Sequence, residues 1–268
     1  QPRSRGLGDV YKRQRYGLPL LLAAAILGWW EWSVWYYSIP PYSLPSPSAI
    51  IAALIRDWPV LSVSLWVTLR TTLAGMALAF IGGVALGILL GMVKTAENML
   101  FPYAVVLQVT PIIAIAPILL IYFSAPTVVL LTAFLVTYFP VLSNTITGMR
   151  STDRGLEALF DLYGANAWHR ITLLKLKTAL PYILTGFRIG GPLALIGAVV
   201  AEIAAGTAGA GSGLAYRIIE STYRLNVPRA FAALLLLSIM GIIIFYTIVF
   251  ISHLMLKDWH ESAMQKER

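Results

Sequence analysis

Glu157-Ala158-Leu159-Phe160-Asp161-Leu162-Tyr163-Gly164-Ala165-Asn166-Ala167-Trp168-His169-Arg170, running on to Ala179-Leu180-Pro181, is a polar island between long uncharged apolar stretches. Leu156, Leu159, Phe160 and Tyr163 recur at i, i+3, i+4 and i+7, which predicts a short helix whose apolar stripe suits a partner's groove. Gly164 ends that helix, because glycine enters a left-handed cap at little cost. Residues 165–176 have the pattern of a second short helix, and Pro181 marks entry into the next apolar span. The expected geometry is two short helices joined at a glycine and lying along a membrane surface. A chain that is 58% hydrophobic keeps its loops short, so a long structured one marks a surface that grips something outside the membrane.

Composition sets the class. A mean hydropathy of +0.76 and 12% charged residues belong to an integral membrane protein. A bilayer core of about 30 Å needs roughly 20 apolar residues per helix, so the expected fold class is all-α and polytopic, with about six transmembrane helices. The absence of cysteine excludes disulfides and thiolate metal sites. His169, His253 and His260 are too scattered to form a metal centre, and no metal or other cofactor is expected on the chain. No Gly-x-x-x-x-Gly-Lys-Ser/Thr phosphate loop is present. Glu31 and Glu202 are acidic residues within or ending spans, but no nucleophile–base pairing supports an enzyme.

Residues 1–14 have the sequence of a translated sequencing adapter, so 15–268 is expected to be the transmembrane domain proper. Without Arg3, Arg5, Lys12, Arg13 and Asp9 the formal charge of +8 falls to +5. That excess suits membrane-protein loops and is no argument for nucleic acid.

The spans are expected at residues 18–39, 65–93, 99–123, 127–149, 182–205 and 230–252. Trp29, Trp30, Trp32, Trp35, Tyr36 and Tyr37 crowd the end of the first, as interfacial aromatics do, and Glu31 among them is expected to snorkel to the interface. The proline-rich residues 40–47 cannot continue a helix, and Ser48 is expected to cap a short amphipathic helix reaching Asp57. In the second span Gly75, Ala79, Gly83, Gly87 and Gly91 recur every four residues, a face that another helix can approach closely. The third span holds Pro102, Pro111 and Pro117, and the fourth holds Pro140. Gln108, Thr110, Thr137, Tyr138, Asn144 and Glu202 are polar positions within or ending spans three to five. They are candidates for lining a path, with satisfaction of kinked backbone as the alternative. Beyond the flexible run of glycines at 206–213, residues 214–223 read as a short amphipathic helix.

With six spans, Arg15, Lys94, Arg150, Arg154, Arg170, Lys175, Lys177, Lys257, Lys266 and Arg268 share one side, against Arg56, Arg217, Arg224 and Arg229 on the other. The positive-inside rule then puts both termini and the island in the cytoplasm.

The island resembles the EAA loop of ABC-importer permeases, specifically the branch of sulfonate, taurine, nitrate and pyrimidine-precursor permeases. The residues that carry the resemblance are Gly164-Ala165-Asn166 with Trp168, Ala179-Leu180-Pro181-Tyr182 and Gly186-Phe187-Arg188-Ile189, flanked by Leu44-Pro45-Ser46-Pro47-Ser48 and Ala201-Glu202. The similarity runs from about residue 18 to 256. Residues 206–213 and Trp259-His260-Glu261-Ser262-Ala263 are closer to pyrimidine or thiamine-precursor permeases than to sulfonate ones. The chain departs from the pattern at Ala158, where the acidic residue falls one position early as Glu157, at Leu159-Phe160 in place of Ala-Ala, and at Lys177 in place of a proline.

The resemblance implies the type I importer permease fold, with residues 150–181 as the cytoplasmic coupling loop in a bacterial inner membrane. Its contact residues on this chain would be Glu157, Ala158, Leu159, Phe160, Leu162, Tyr163, Gly164, Ala165, Asn166, Trp168, Arg170 and Pro181. The implied partners are two copies of a cytoplasmic ATPase that uses the ATP, a second permease copy as a homodimer, an external solute-binding protein and membrane lipid. Two other readings stay open. An ion-gradient-driven carrier usually shows mid-membrane charges and internal repeats, neither of which this chain displays. A membrane scaffold with a docking loop would have no transport role.

Overall fold

The computed structural model describes residues 3–206 and 211–257, and among them every regular element is helical. Residues 259–263, and 207–210 of the glycine run, lie outside the described residues. In chain order the helices are α1 (Arg3–Tyr36), α2 (Pro47–Arg56), α3 (Trp58–Met92), α4 (Lys94–Val109), α5 (Ile112–Tyr122), α6 (Ala125–Arg150), α7 (Arg154–Leu162), α8 (Ala167–Ala205), α9 (Leu214–Tyr223) and α10 (Val227–Leu256). Five of the described helices are long and apolar enough to cross a membrane, or six if the bent pair α4–α5 counts as one span.

The third expected span is therefore not one straight helix. α4 and the following helix are bent by 103°, and the break falls at Thr110-Pro111. Thr110 is extended (φ −70°, ψ 126°), the conformation that a following proline imposes. Its hydroxyl also donates to the Val106 carbonyl at 2.7 Å, closing the end of α4. Pro102 and Pro117 stay inside their helices.

The chain divides into two compact units. In the smaller, formed by Gln1–Leu61 and Arg217–Leu235, α2 begins two residues earlier than expected. Pro47 takes the first helical position, where its fixed φ fits and its missing N–H is not needed, so Ser46 becomes the cap and accepts from the Ala49 N–H. Ser48 is not the cap. Its N–H and hydroxyl both donate to the Glu31 carboxylate, at 2.9 and 2.6 Å. Glu31 thus does not simply reach for water: its negative charge sits at the N-terminus of α2, where unpaired N–H groups favour it. On the same unit Arg217 hydrogen-bonds Glu220 at 2.7 Å, which holds the Glu220 carboxyl below the usual carboxylate range, with Arg224 and Arg229 adding in the same direction.

The larger unit, Ser62–Tyr216 with Leu236–Arg268, is organised around α6. The small-residue face of α3 packs directly on it. A Cβ at Gly75 would meet Ala133 Cβ at 2.8 Å, one at Gly83 would meet Val141 Cγ1 at 2.8 Å, and one at Gly87 would meet Thr145 Cβ at 2.5 Å. Ala79 on the same face is fully buried. α8 makes the same kind of contact with α6: a Cβ at Gly186 would lie 3.1 Å from Val141 Cα, and one at Gly197 would lie 2.8 Å from the Thr132 carbonyl. The Thr137 hydroxyl donates to the Gly190 carbonyl at 3.1 Å across this seam. Small residues are what allow such approach where lipid offers no hydrophobic drive for association.

Replacing Gly87 by valine is expected to lower stability by about 1–3 kcal/mol through overpacking. Gly28→Ala, where nothing lies within 4 Å, should not lower it. Thermal unfolding of the two variants in one detergent checks the contrast.

Candidate functional site

The island starts with Asp153, whose carboxylate accepts from the N–H groups of Gly155 at 2.7 Å and Leu156 at 3.1 Å and so caps α7. At the other end Gly164 is left-handed (φ +64°). Its N–H donates to the Asp161 carbonyl, and the Ala165 N–H donates to the Phe160 carbonyl, both at 3.0 Å. This is the paired-bond pattern of a Schellman cap. Nothing lies within 4 Å of where a Gly164 side chain would begin, so the glycine is required by backbone conformation and not by space. Asn166 then caps the next helix by accepting from the His169 N–H at 2.8 Å.

The second expected helix is not a separate element. It is the first part of α8, which runs from Ala167 to Ala205 without a break and includes a π-helical turn at Arg170–Lys175. Pro181 lies inside this helix and does not mark its start. A proline removes only one main-chain bond, and Ala179 and Ile183 on either side are buried with Met149 of α6, which holds the helix through that point. At 1.5 Å per residue α8 is about 58 Å long, far more than the roughly 30 Å of hydrocarbon. Its first turns are therefore a rigid continuation of a membrane span.

Two ion pairs fasten α7 to that continuation. Arg170 pairs with Asp161, and its Nε also donates to the Ala165 carbonyl at 3.3 Å, while Lys175 Nζ lies 3.4 Å from Glu157. Each is partly solvated and contributes about 0.2–1 kcal/mol, but together they fix the angle across the Gly164 turn. The face left over is apolar: Leu162 and Tyr163 are more than 80% exposed, Leu156, Leu159 and Trp168 are also exposed, and Ala158 lies open beside them. Phe160 and Ala165 are half-buried. Asp153 was legible as a cap ahead of an apolar-periodic run. The Asp161–Arg170 pair had no signal, because its partners meet only across a turn.

The six polar span positions are dispersed. Gln108 is exposed on α4, and Thr110 sits at the α4–α5 bend. Thr137 is buried against α8, Tyr138 packs beside Phe134 with ring centroids 5.1 Å apart, and the Asn144 amide donates to the Pro140 carbonyl at 2.8 Å. Glu202, only 4% exposed, is the centre of a buried network. It accepts from the Thr68 hydroxyl at 2.7 Å and the Ala215 N–H at 3.0 Å, while Thr68 accepts from the Leu214 N–H at 2.9 Å. The carboxylate thereby joins α3 and α8 to the N-terminus of α9, and a side chain on Gly213 would collide with it. It also borders a cavity of about 60 Å³ lined by Arg70, Thr71 and Pro126 among others. Among the described residues there is no cluster of His, Asp or Glu that would hold a metal.

With this geometry in view, the comparisons with known proteins are consistent throughout. Residues 83–258 match the family of binding-protein-dependent transport system inner membrane components, and the chain belongs to that family. It is 37% identical to the formylaminopyrimidine transport permease protein ThiX of Halalkalibacterium halodurans, over 81% of this chain and 86% of the relative. It is 33% identical to the riboflavin transport system permease protein RibX of Chloroflexus aurantiacus, over 79% of each. It is 28% identical to the taurine transport system permease protein TauC of Escherichia coli, over 71% of this chain and 72% of the relative. The protein is thus a multi-pass ABC permease of the inner membrane with the type I permease fold.

Two measurements test the local geometry. Gly164→Val should cost about 1–2 kcal/mol locally, seen as faster amide hydrogen exchange over 154–162. Glu202→Ala leaves the Thr68 hydroxyl and the Ala215 N–H without their acceptor, at about 1–3 kcal/mol for each buried group. It should lower the unfolding temperature and speed exchange of the Ala215 amide.

Proposed function

We propose that the chain is the permease subunit of an ATP-driven importer, forming the transmembrane path for a small solute delivered by an external binding protein. A separate cytoplasmic ATPase, present in two copies, would dock on α7. The observation that carries this reading is the exposed apolar face of Leu156, Leu159, Leu162 and Tyr163 on a helix capped at both ends and ion-paired to α8. A partner groove gripping that face moves α8 as a rigid body, because the helix passes unbroken into the membrane. Glu157, Gly164, Asn166 and Arg170 set the angle of the coupling element, while Ala158, Leu159, Leu162, Tyr163 and Trp168 offer its contact surface. Phe160, Ala165 and Pro181 belong to its supporting side.

The excess of basic residues beside the island supports a cytoplasmic position for it and for both termini. The permease domain is residues 15–268, working as a homodimer in lipid. ATP is consumed by the partner and no cofactor is bound by this chain. The likeness to formylaminopyrimidine and taurine permeases supports a substrate that is a pyrimidine or thiamine precursor, or a sulfonate, taurine or nitrate-type anion. Of the polar span positions, Glu202 is the best placed to face a path, since it borders a cavity; Gln108, Thr110, Thr137, Tyr138 and Asn144 would line the remainder.

Uptake by proteoliposomes containing the permease with its ATPase and binding protein tests the reading. Transport should require ATP, and Leu159→Glu with Leu162→Glu should reduce it about tenfold or more, as loss of an interface anchor does. Transport that continues without ATP on an ion gradient would establish the secondary-carrier alternative. Transport unchanged by Gly164→Val would remove α7 from the coupling role.

A further inference from the structure

A groove of about 680 Å³ runs between α8 and α10, apart from the exposed apolar face of α7. On α8 it is lined by Pro181, Thr185 and Arg188, and on α10 by Tyr246, Phe250 and His253 among others. Positions 181, 185 and 188 share one face of α8, and 246, 250 and 253 share one face of α10. The groove therefore follows two helix faces and is not a surface dimple. It occupies the last turns of α10 and the half of α8 nearer α7, so it lies toward the leaflet on the α7 side.

Arg188 is the feature that needs explaining. It is a permanent cation within a membrane span, and among the described residues it pairs with no carboxylate. Charge in that position is costly without a counter-ion. The neighbouring hydroxyls do not supply one: Thr185 donates to the Pro181 carbonyl and Ser252 donates to the Ile248 carbonyl, each at 2.8 Å. The guanidinium fork, with His253 on the opposite wall, is a donor set matched to a phosphate. The rest of the lining is apolar, and Tyr246 and Phe250 are more than 60% exposed.

We infer that this groove binds an anionic phospholipid of the leaflet on the α7 side, with the headgroup phosphate on Arg188 and His253 and an acyl chain along Leu184, Val249 and Phe250. Basic pockets between membrane helices recognise such headgroups through the phosphate charge, and the apolar walls exclude a bare inorganic anion as the best fit. The inference does not depend on ATP coupling or on which solute is carried.

The test is lipid retention by the purified full-length protein, measured by native mass spectrometry after exchange into mixed phosphatidylglycerol and phosphatidylcholine nanodiscs. The wild type should retain phosphatidylglycerol about fivefold over phosphatidylcholine, the discrimination expected from one basic residue near an anionic surface. Arg188→Gln should abolish the preference and Arg188→Lys should keep most of it. Val249→Trp, which fills the groove without changing charge, should also reduce retention, and it stands as an independent test if the glutamine variant fails to fold. Equal retention of both lipids by the wild type, or an unchanged preference in Arg188→Gln and Val249→Trp, overturns the proposal. Displacement of phosphatidylglycerol by inorganic phosphate at equal concentration would make a soluble anion the occupant and overturn the lipid assignment.

Discussion

Close approach of α6 to its two neighbours is the constraint on which the larger unit depends. Lipid tails are as apolar as leucine, so burying leucine between helices gains little there, and contact has to come from tight van der Waals packing. Gly75, Gly83, Gly87 and Gly91 on α3, and Gly186, Gly190 and Gly197 on α8, remove the side chains that would hold the backbones apart. The Thr137–Gly190 hydrogen bond is possible only because the helices are this near. With α6 held on both sides, a displacement at the start of α8 is carried into a packed seam instead of being absorbed by slack.

Charge is used sparingly, and mostly at helix ends. Glu31 meets the N-terminus of α2, and Glu202 meets the N-terminus of α9, each where N–H groups are left over by helix geometry. A buried carboxylate such as Glu202 is costly by itself, but two hydrogen bonds and the end of a helix offset that cost. Arg188, like Arg70, pairs with no carboxylate among the described residues, which sets it apart from the acidic groups that the fold has already satisfied.

Much of the island was readable before any coordinates, because its signals are local. The i, i+3, i+4, i+7 stripe and Gly164 determine a capped helix within ten residues of chain, and residues 214–223 appeared as the amphipathic helix they form. What misled was proline. Pro111 breaks its span, Pro181 does not, and Pro47 moves a cap from Ser48 to Ser46. The residue alone does not say which, since the outcome depends on whether packing on either side holds the helix together.

Class, the small-residue face of α3 and the capped helix α7 follow from composition and periodicity, which the bilayer reads directly through length and apolarity. Tertiary structure alone decided that α7 is pinned to a helix continuous with a membrane span, that Thr68 meets Glu202 from 134 residues away, and that Arg188 and His253 line one groove. Periodicity describes one helix at a time, whereas a salt bridge, a buried carboxylate or a groove belongs to two helices at once. Only the close packing of those helices brings such distant residues within reach.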